Sequence, residues 1–200
     1  MSQIEQELDL FTDSEKFLFI DNSILGRISV VSHRHANANN QPVLNDDSHT
    51  PHAFLTYVDE NNLYGGAMSE VFPIGDFTFH VEDEVASFDF DATTKCNDYG
   101  YILMVDLKYL EHIHDSQSDY PHAAEKLRIT KEMLSAYSSF LTSKHVTSEK
   151  LPPNQYDKTK YVVHYENLHL DLKLVKVHRI MKFRQSAWIK PYTDFNNTKR

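Results

Sequence analysis

Cysteine, glycine and long apolar runs are all scarce in this chain of 200 residues. The single cysteine, Cys96, excludes a disulfide framework and any zinc site that needs two thiolates, and it is typical of a reducing compartment. No run approaches the roughly 18 apolar residues that a membrane-spanning helix needs, and acidic residues open the chain. We therefore expect an intracellular protein of the nucleus or cytoplasm, with organelle and virus left open, and no membrane partner.

Basic residues are scarce over the first three quarters of the chain. Residues 1–150 carry 10 basic and 25 acidic side chains, whereas residues 151–200 carry 10 basic and 4 acidic ones. The total of −9 argues against a module that binds nucleic acid by bulk charge alone. The basic, aromatic last quarter still permits a DNA-facing surface, for which the candidates are Lys182, Arg184 and Lys190. A mixed-charge strand and helix face is the alternative.

The spacing of apolar residues predicts an α+β fold. We expect a helical lead near Thr12 and Asp13, and a second helix that starts at Asn61 or Asn62. A third helix is predicted over residues 166–174. Strands are predicted over residues 24–31, 53–58, 72–90, 100–107, 161–165 and 175–183. The run over 53–58 is almost wholly apolar, which is typical of a central strand buried on both faces.

The most informative stretch is Tyr57-Val58-Asp59-Glu60-Asn61-Asn62-Leu63-Tyr64-Gly65. A carboxylate at the end of a buried strand is rigidly held at an exposed edge, where it can position a divalent ion for phosphoryl transfer. Taken alone, Asp59 could equally open a turn or cap the following helix. The residues that surround Asp59 in this string favour the first interpretation, a carboxylate that positions a divalent ion.

This string resembles the first catalytic motif of family B DNA polymerases, in the Asp-x-Asn-Asn-Leu-Tyr-Gly form of the protein-primed branch. That branch includes bacteriophage, linear-plasmid and Maverick/Polinton transposon polymerases. Segments on both sides, which together span nearly all of residues 5–200, also resemble that branch: 26–29, 32–36, 39–40, 68–69, 119–127, 161–165, 177–180 and 191–196.

The resemblance implies roles for individual residues. Asp59 would be one of two aspartates that hold a pair of Mg²⁺ ions, and the backbone carbonyl of Glu60 would be a further ligand. Tyr64 would pack beneath the incoming deoxyribose and leave no room for a 2′-hydroxyl; its alternative role is a core aromatic. Asn61, Asn62 and Leu63 would shape the pocket for the deoxynucleoside triphosphate.

A second set of implied contacts concerns DNA template and primer. Gly26 and Ile28 match a template-contacting motif in which a bare backbone approaches a phosphate. Arg27 stands where the family has a second glycine, and its charge could meet the same phosphate.

The resemblance also implies a domain organisation, a partial polymerase palm with an inserted subdomain like a terminal-protein region. Residues 1–70 would form the link to the palm and its first strand and helix. Residues 71–183 would form the insertion, which would contact a priming (terminal) protein, and residues 184–200 would begin the fingers. The family's Lys-x-x-x-Asn-Ser-x-Tyr-Gly and Asp-Thr-Asp motifs are absent. We therefore expect a fragment that does not polymerise alone; the alternative is a non-catalytic relic that binds DNA or a terminal protein.

Two histidine pairs offer a rival metal site. His33 and His35, and His112 and His114, are each two residues apart, which on a strand places both imidazoles on one face. Neither pair has a nearby thiolate or a convincing third ligand, so a structural or phosphate-facing role is favoured.

Overall fold

A computed structural model shows that the chain folds into a mixture of helices and strands. Most of the described strands come from the second half of the chain. The structure describes residues 6–25, 33, 35–41, 47, 49–58, 62–89, 98–119, 121, 123–141, 148–169 and 172–198. The α-helices are α1 (Ser14–Ser23), α2 (Leu63–Ala67), α3 (Glu82–Ala86), α4 (Glu111–His114), α5 (Ala136–Leu141) and α6 (Lys190–Asn197). The strands are β1 (Phe72–Phe79), β2 (Tyr99–Lys108), β3 (Leu127–Ile129), β4 (Ser148–Lys150), β5 (Lys158–His164) and β6 (Lys173–Ser186). Short 3₁₀ helices cover Lys131–Met133 and Tyr165–His169.

Four of the strands form an antiparallel sheet in the order β1-β6-β2-β5, and β3 pairs with β4 in a small separate ribbon. The two central strands supply the most buried side chains, among them Leu103, Val105, Ile180 and Met181. Since β2 and β6 pair along nearly their whole length, they form the rigid centre to which the other elements attach.

Helix α1 covers part of one face of this sheet. Asp13 begins the helix, and its carboxylate accepts a hydrogen bond of 2.8 Å from the backbone N–H of Glu15. Phe19 is buried against Phe79, with ring centroids 5.2 Å apart, and Arg179 forms a 2.6 Å ion pair with Glu15. The acidic start of the chain is thereby joined to the basic strand β6.

Most of the predicted elements are confirmed. The lead near Thr12 and Asp13 is α1, the helix predicted from Asn61 or Asn62 contains α2, and the strands β2, β5 and β6 correspond to predicted strands. The strand predicted over 72–90 is confirmed only as far as Phe79, the end of β1. Its second part is wrong, because α3 covers Glu82–Ala86. The helix predicted over 166–174 is wrong, since a 3₁₀ helix ends at His169 and β6 already begins at Lys173. The strand predicted over 24–31 falls mainly outside the described residues.

The buried strand predicted over residues 53–58 is wrong. Apart from one isolated bridge between Ala53 and Asn39, this segment has no strand pairing. Its apolar side chains are open to solvent, with Phe54 70%, Tyr57 90% and Val58 82% exposed. An apolar run becomes a central strand only where neighbouring strands take its hydrogen bonds and cover its faces. No described strand does so here.

Candidate functional site

The described part of the motif enters helix α2 at Asn62. Asp59, Glu60 and Asn61 lie outside the described residues. Asn62 has φ 59° and ψ 40°, a left-handed conformation that asparagine tolerates better than most residues. Its side chain makes no capping hydrogen bond to α2. Instead its Nδ2 donates to Oδ1 of Asn197, 3.3 Å away, so the motif contacts the end of α6.

Gly65 is matched to this conformation of Asn62. A Cβ atom at position 65 would lie 2.2 Å from Nδ2 and 2.6 Å from Cγ of Asn62. Because contacts this short are forbidden, a side chain at 65 would displace the Asn62 amide and its bond to Asn197. The Asn-x-x-Gly spacing within the motif therefore has a local structural reason.

Leu63 and Tyr64 form the exposed start of α2. Tyr64 is 85% exposed and Leu63 is 58% exposed, while Gly65 is buried. The alternative role of Tyr64 as a core aromatic is therefore wrong. An exposed phenol ring at the first turn of a helix can contact a ligand without disturbing the core.

The three basic candidates already have partners within the chain. Lys182 Nζ lies 3.8 Å above the centre of the Tyr99 ring, and Arg184 Nε lies 3.5 Å from an oxygen of Asp76. Lys190 Nζ lies 3.7 Å from Asp194 within α6. The Arg184 and Lys190 ion pairs are about half exposed, and such pairs are worth roughly 0–1 kcal/mol. They can therefore be exchanged for a phosphate contact at little cost.

Lys182 and Arg184 are two residues apart on β6, which places them on the same side of the sheet. Lys190 lies beyond the strand, at the start of α6. Gly26, Arg27 and Ile28 lie outside the described residues. Two of the six predicted DNA contacts are thus brought together on one strand.

A charged centre that the sequence analysis did not identify lies in the middle of the sheet. Asp106 on β2 accepts a 2.8 Å hydrogen bond from the backbone N–H of Lys160 on β5, and its Oδ2 lies 2.9 Å from Nε2 of His178 on β6. These contacts, with the Lys160 N–H the larger cause, lower the pKa of Asp106 below the ordinary aspartate value. The signal in the sequence is that Asp106 is the only charged residue between Tyr99 and Leu107.

Irregular pairing surrounds this carboxylate on both sides. Met104 pairs with Arg179 and Val105 with Val177, so His178 is an extra residue in β6. The pairing of β2 with β5 is also shifted between Val105 and Leu107, and Lys160 there has φ 50°. Bulges of this kind redirect side chains, and they often lie beside functional sites.

The pairing at Asp106 predicts a pH dependence. Because the pKa of Asp106 is lowered by folding, the unfolded chain binds protons more readily than the folded chain as pH falls below about 4. The Asp106 contribution is therefore full above that range and is lost as pH falls further. Asp106→Asn is expected to flatten this acid limb in urea unfolding measured from pH 6 to pH 3. The exposed control Asp115→Asn should keep the parent slope, and an unchanged slope in Asp106→Asn would contradict the assignment.

The histidine pairs are not arranged as predicted. His112 and His114 lie in the helix α4, where residues two apart point about 200° away from each other, so the expectation of one strand face is wrong. His33 Nε2 is 3.6 Å from Asp119, and neither His33 nor His35 lies in a strand. Among the described residues no group of three or more His, Cys, Asp or Glu side chains could hold a metal ion. Asp59 and Glu60 are outside that set.

Within the part of the chain that the structure describes, none of the helices has the length and apolar character that crossing a bilayer requires. Comparison of the chain with protein-family models, curated proteins and solved structures finds no match.

Proposed function

We propose that the chain is part of a DNA-directed DNA polymerase of the protein-primed family B type, built around its first catalytic motif. The observation that supports this most is the string Asp59–Gly65. Within it, the described residues form a turn at Asn62 and a helix whose first turn exposes Tyr64. This is the arrangement that a side chain needs if it is to contact a nucleotide beside the motif's aspartate.

In this proposal each motif residue has a distinct task. The Asp59 carboxylate and the Glu60 carbonyl are Mg²⁺ ligands, and Asn61, Asn62 and Leu63 line the triphosphate pocket. When bound, the two Mg²⁺ ions of the complete enzyme activate the primer 3′-hydroxyl and take up charge on the phosphates. Tyr64 selects deoxyribose by filling the space of a 2′-hydroxyl.

The proposed DNA path uses the basic strand. Lys182 and Arg184 bind backbone phosphates from one side of β6, and Lys190 extends this surface onto α6. Gly26, Arg27 and Ile28 are the proposed template contacts. Because phosphate contacts position DNA without reading its sequence, this surface is sequence-independent.

The proposed organisation places the β1-β6-β2-β5 sheet in the terminal-protein-region-like insertion, residues 71–183, between palm residues 1–70 and fingers residues 184–200. What supports this is that all four strands lie between Phe72 and Ser186. β6 itself ends three residues beyond that insertion.

The second candidate function is a non-catalytic module that binds DNA or a terminal protein. The exposed apolar side chains of Phe54, Tyr57 and Val58 favour it, because a surface of this kind is typical of a protein interface. Asp59→Ala should leave the affinity of such a module for its partner unchanged, whereas the same substitution abolishes catalysis in a polymerase.

A motif exchange tests the polymerase proposal. Residues 57–66 replace the first catalytic motif of an active protein-primed polymerase, and template-dependent nucleotide incorporation is measured. We expect the exchanged enzyme to remain active, whereas the same residues in scrambled order should abolish activity. The isolated 200-residue chain, assayed in parallel, should incorporate nothing. Loss of activity in a folded enzyme that carries the intact motif would contradict the proposal.

The role of Tyr64 gives a separate prediction. In the exchanged enzyme, Tyr64→Ala is expected to raise ribonucleotide incorporation relative to deoxyribonucleotide incorporation by at least about tenfold, since a steric barrier of this size is worth 1–3 kcal/mol. Tyr64→Phe keeps the ring and should keep the parent ratio. Equal ratios for the alanine variant and the parent would exclude this role.

A further inference from the structure

A cavity of about 760 Å³ lies beside the Asp106–His178 contact. It opens where β1 leaves the sheet: Phe79 and Met181 are the last paired residues of β1 and β6, and the N–H of His80 still donates to Ile180 O. Beyond this point β6 continues to Lys173, paired among the described strands with β2 alone. Helix α3 packs against β6 and lines one side of this open cavity.

One wall of the cavity is apolar and aromatic. Val85, Ala86 and Phe88 line it, together with the ring of His80. The Phe88 ring stands 5.9 Å from the His80 ring and 4.9 Å from the Tyr101 ring, both edge to face. This wall is held in place by ring packing, so it is preformed for a flat or apolar group.

The opposite wall is formed by basic residues. Lys176, His178 and Arg179 line it, and Glu82 is the only carboxylate among the described lining residues. Arg179 is already bound to Glu15 at 2.6 Å and lies over the Phe79 ring. Lys176 lies opposite Asp106 in the pairing of β2 with β6. It is exposed and forms no close ion pair among the described residues, so its ammonium group is the cation available to a ligand.

His178 is the second available group. It is the extra residue of the β6 bulge, and its Nε2 is buried 2.9 Å from the Asp106 carboxylate. With Nε2 held there, Nδ1 is the nitrogen that remains for a ligand. A carboxylate this close to one imidazole nitrogen restricts the orientation of the ring. Asp106 is thus a positioning residue for His178.

The same features argue against an extended peptide along this edge of β6. Bulges at Val175 and His178, the lysines Lys173 and Lys176, and the covering helix α3 all oppose the addition of a strand. A small molecule requires no regular strand edge, and the cavity is within the usual volume range of small-molecule sites.

We propose that this cavity binds a small phosphate monoester that carries an aromatic or apolar group. Lys176 and His178 contact the phosphate, and Val85 and Phe88 pack against the organic part. Two adjacent side chains, an ammonium group and an imidazole ring, can contact different oxygens of one phosphate, which favours a phosphate with its three acceptor oxygens over a carboxylate. This site is independent of the polymerase motif and stands whether or not the proposed function holds.

Phenyl phosphate is the probe that tests the site, with benzoate as the monoanion and phenol as the neutral control. Binding to the full chain is followed by calorimetry and by the imidazole NMR signals of His80 and His178. We expect saturable binding of phenyl phosphate, at least about tenfold weaker binding of benzoate, and none of phenol. Lys176→Ala and His178→Gln should each weaken phenyl phosphate binding by about tenfold or more.

Two further variants make the result decisive. Lys131→Ala removes an exposed lysine outside the cavity and should leave binding unchanged, whereas Glu82→Gln removes the lining carboxylate and should strengthen it several-fold. Lys176 is solvent-exposed, so its variant is expected to fold even if His178→Gln does not. Equal affinity for benzoate and phenyl phosphate, or phenyl phosphate binding that Lys176→Ala does not weaken in a folded chain, would overturn the proposal.

Discussion

Replacing Asp59 by alanine in the motif-exchanged polymerase is expected to reduce nucleotide incorporation by at least about 10³-fold. The proposed two-metal site depends on two aspartates, and a neutral methyl group can neither hold Mg²⁺ nor offset its charge. Removal of one preorganised group that stabilises transition-state charge already costs about 10²–10³ in rate, and a lost metal ligand should cost more. Single-turnover incorporation on a primed template, at saturating deoxynucleotide, measures the chemical step directly.

Glu60→Ala is the matched control for this experiment. The proposal gives Glu60 a role through its backbone carbonyl, which alanine also has, so this variant should stay within a few-fold of the parent rate. Asp59→Asn keeps the size of the side chain and removes only the charge, and it should behave as Asp59→Ala does. Equal losses in Asp59→Ala and Glu60→Ala would show that the segment tolerates no change, and would contradict a specific role for Asp59.

The strands of the sheet could be predicted from the sequence where the local residue pattern agrees with the burial that the fold provides. β2 and β6 are rich in apolar and β-branched residues, so their runs indicate strands before any partner is known. Their register was not predictable, because the bulge at His178 depends on how β6 meets Met104 and Val105 across the sheet. The residue that bulges out of β6 is determined by its pairing with β2, which the sequence of β6 alone does not specify.

The segment over residues 53–58 shows the opposite case. Its composition is as strand-like as that of β5, yet Leu55 and Tyr57 are exposed and unpaired with any described strand. Apolar composition indicates that a segment can be buried in a sheet. Whether it is buried depends on which other strands and helices pack against it. The apolar run over 53–58 therefore favours a strand, but no described strand pairs with it along its length.

The candidate sites also differ in whether the sequence alone could predict them. A contiguous string such as Asp59–Gly65 can be found by reading along the chain. Asp106 and His178 lie 72 positions apart in sequence, and only the pairing of β2 with β6 brings them to 2.9 Å. The Lys158–Glu125 ion pair likewise joins β5 to a loop 33 positions earlier. Sites made by tertiary contact therefore required the structure.

Loss of the Glu125 side chain is expected to lower the free energy of unfolding by about 2 kcal/mol, less than the roughly 3–5 kcal/mol for breaking a fully buried ion pair, because Glu125 is half exposed. The side chain of Lys158 is fully buried, and its Nζ lies 3.3 Å from Glu125, whose own side chain is 47% exposed. Asn154 contacts both groups, accepting from Lys158 and donating to Glu125 at 2.9 Å. In Glu125→Ala the Lys158 ammonium stays buried without its carboxylate. Guanidinium unfolding at pH 7 measures the loss.

Lys158→Met separates the cost of a buried charge from the loss of packing. In the Glu125→Ala background it replaces the orphaned ammonium by an apolar chain of similar length, so it should restore most of the lost stability. Alone it should cost under about 1 kcal/mol, because Glu125 is half exposed and water can replace the lysine. A double variant no more stable than Glu125→Ala would show that Glu125 acts through packing instead.

The pH response of Glu125→Ala supplies an independent check of the same charge. Burial lowers the pKa of Lys158, and Glu125 is the main group that opposes this effect. Between the lowered pKa and the ordinary lysine value of 10.5 the unfolded chain binds more protons than the folded chain, so stability rises with pH across that range. Without Glu125 the pKa falls further and the range widens. Glu125→Ala should therefore regain part of its stability between pH 7 and pH 10, and the double variant with Lys158→Met should not, because it has no proton to release at that position.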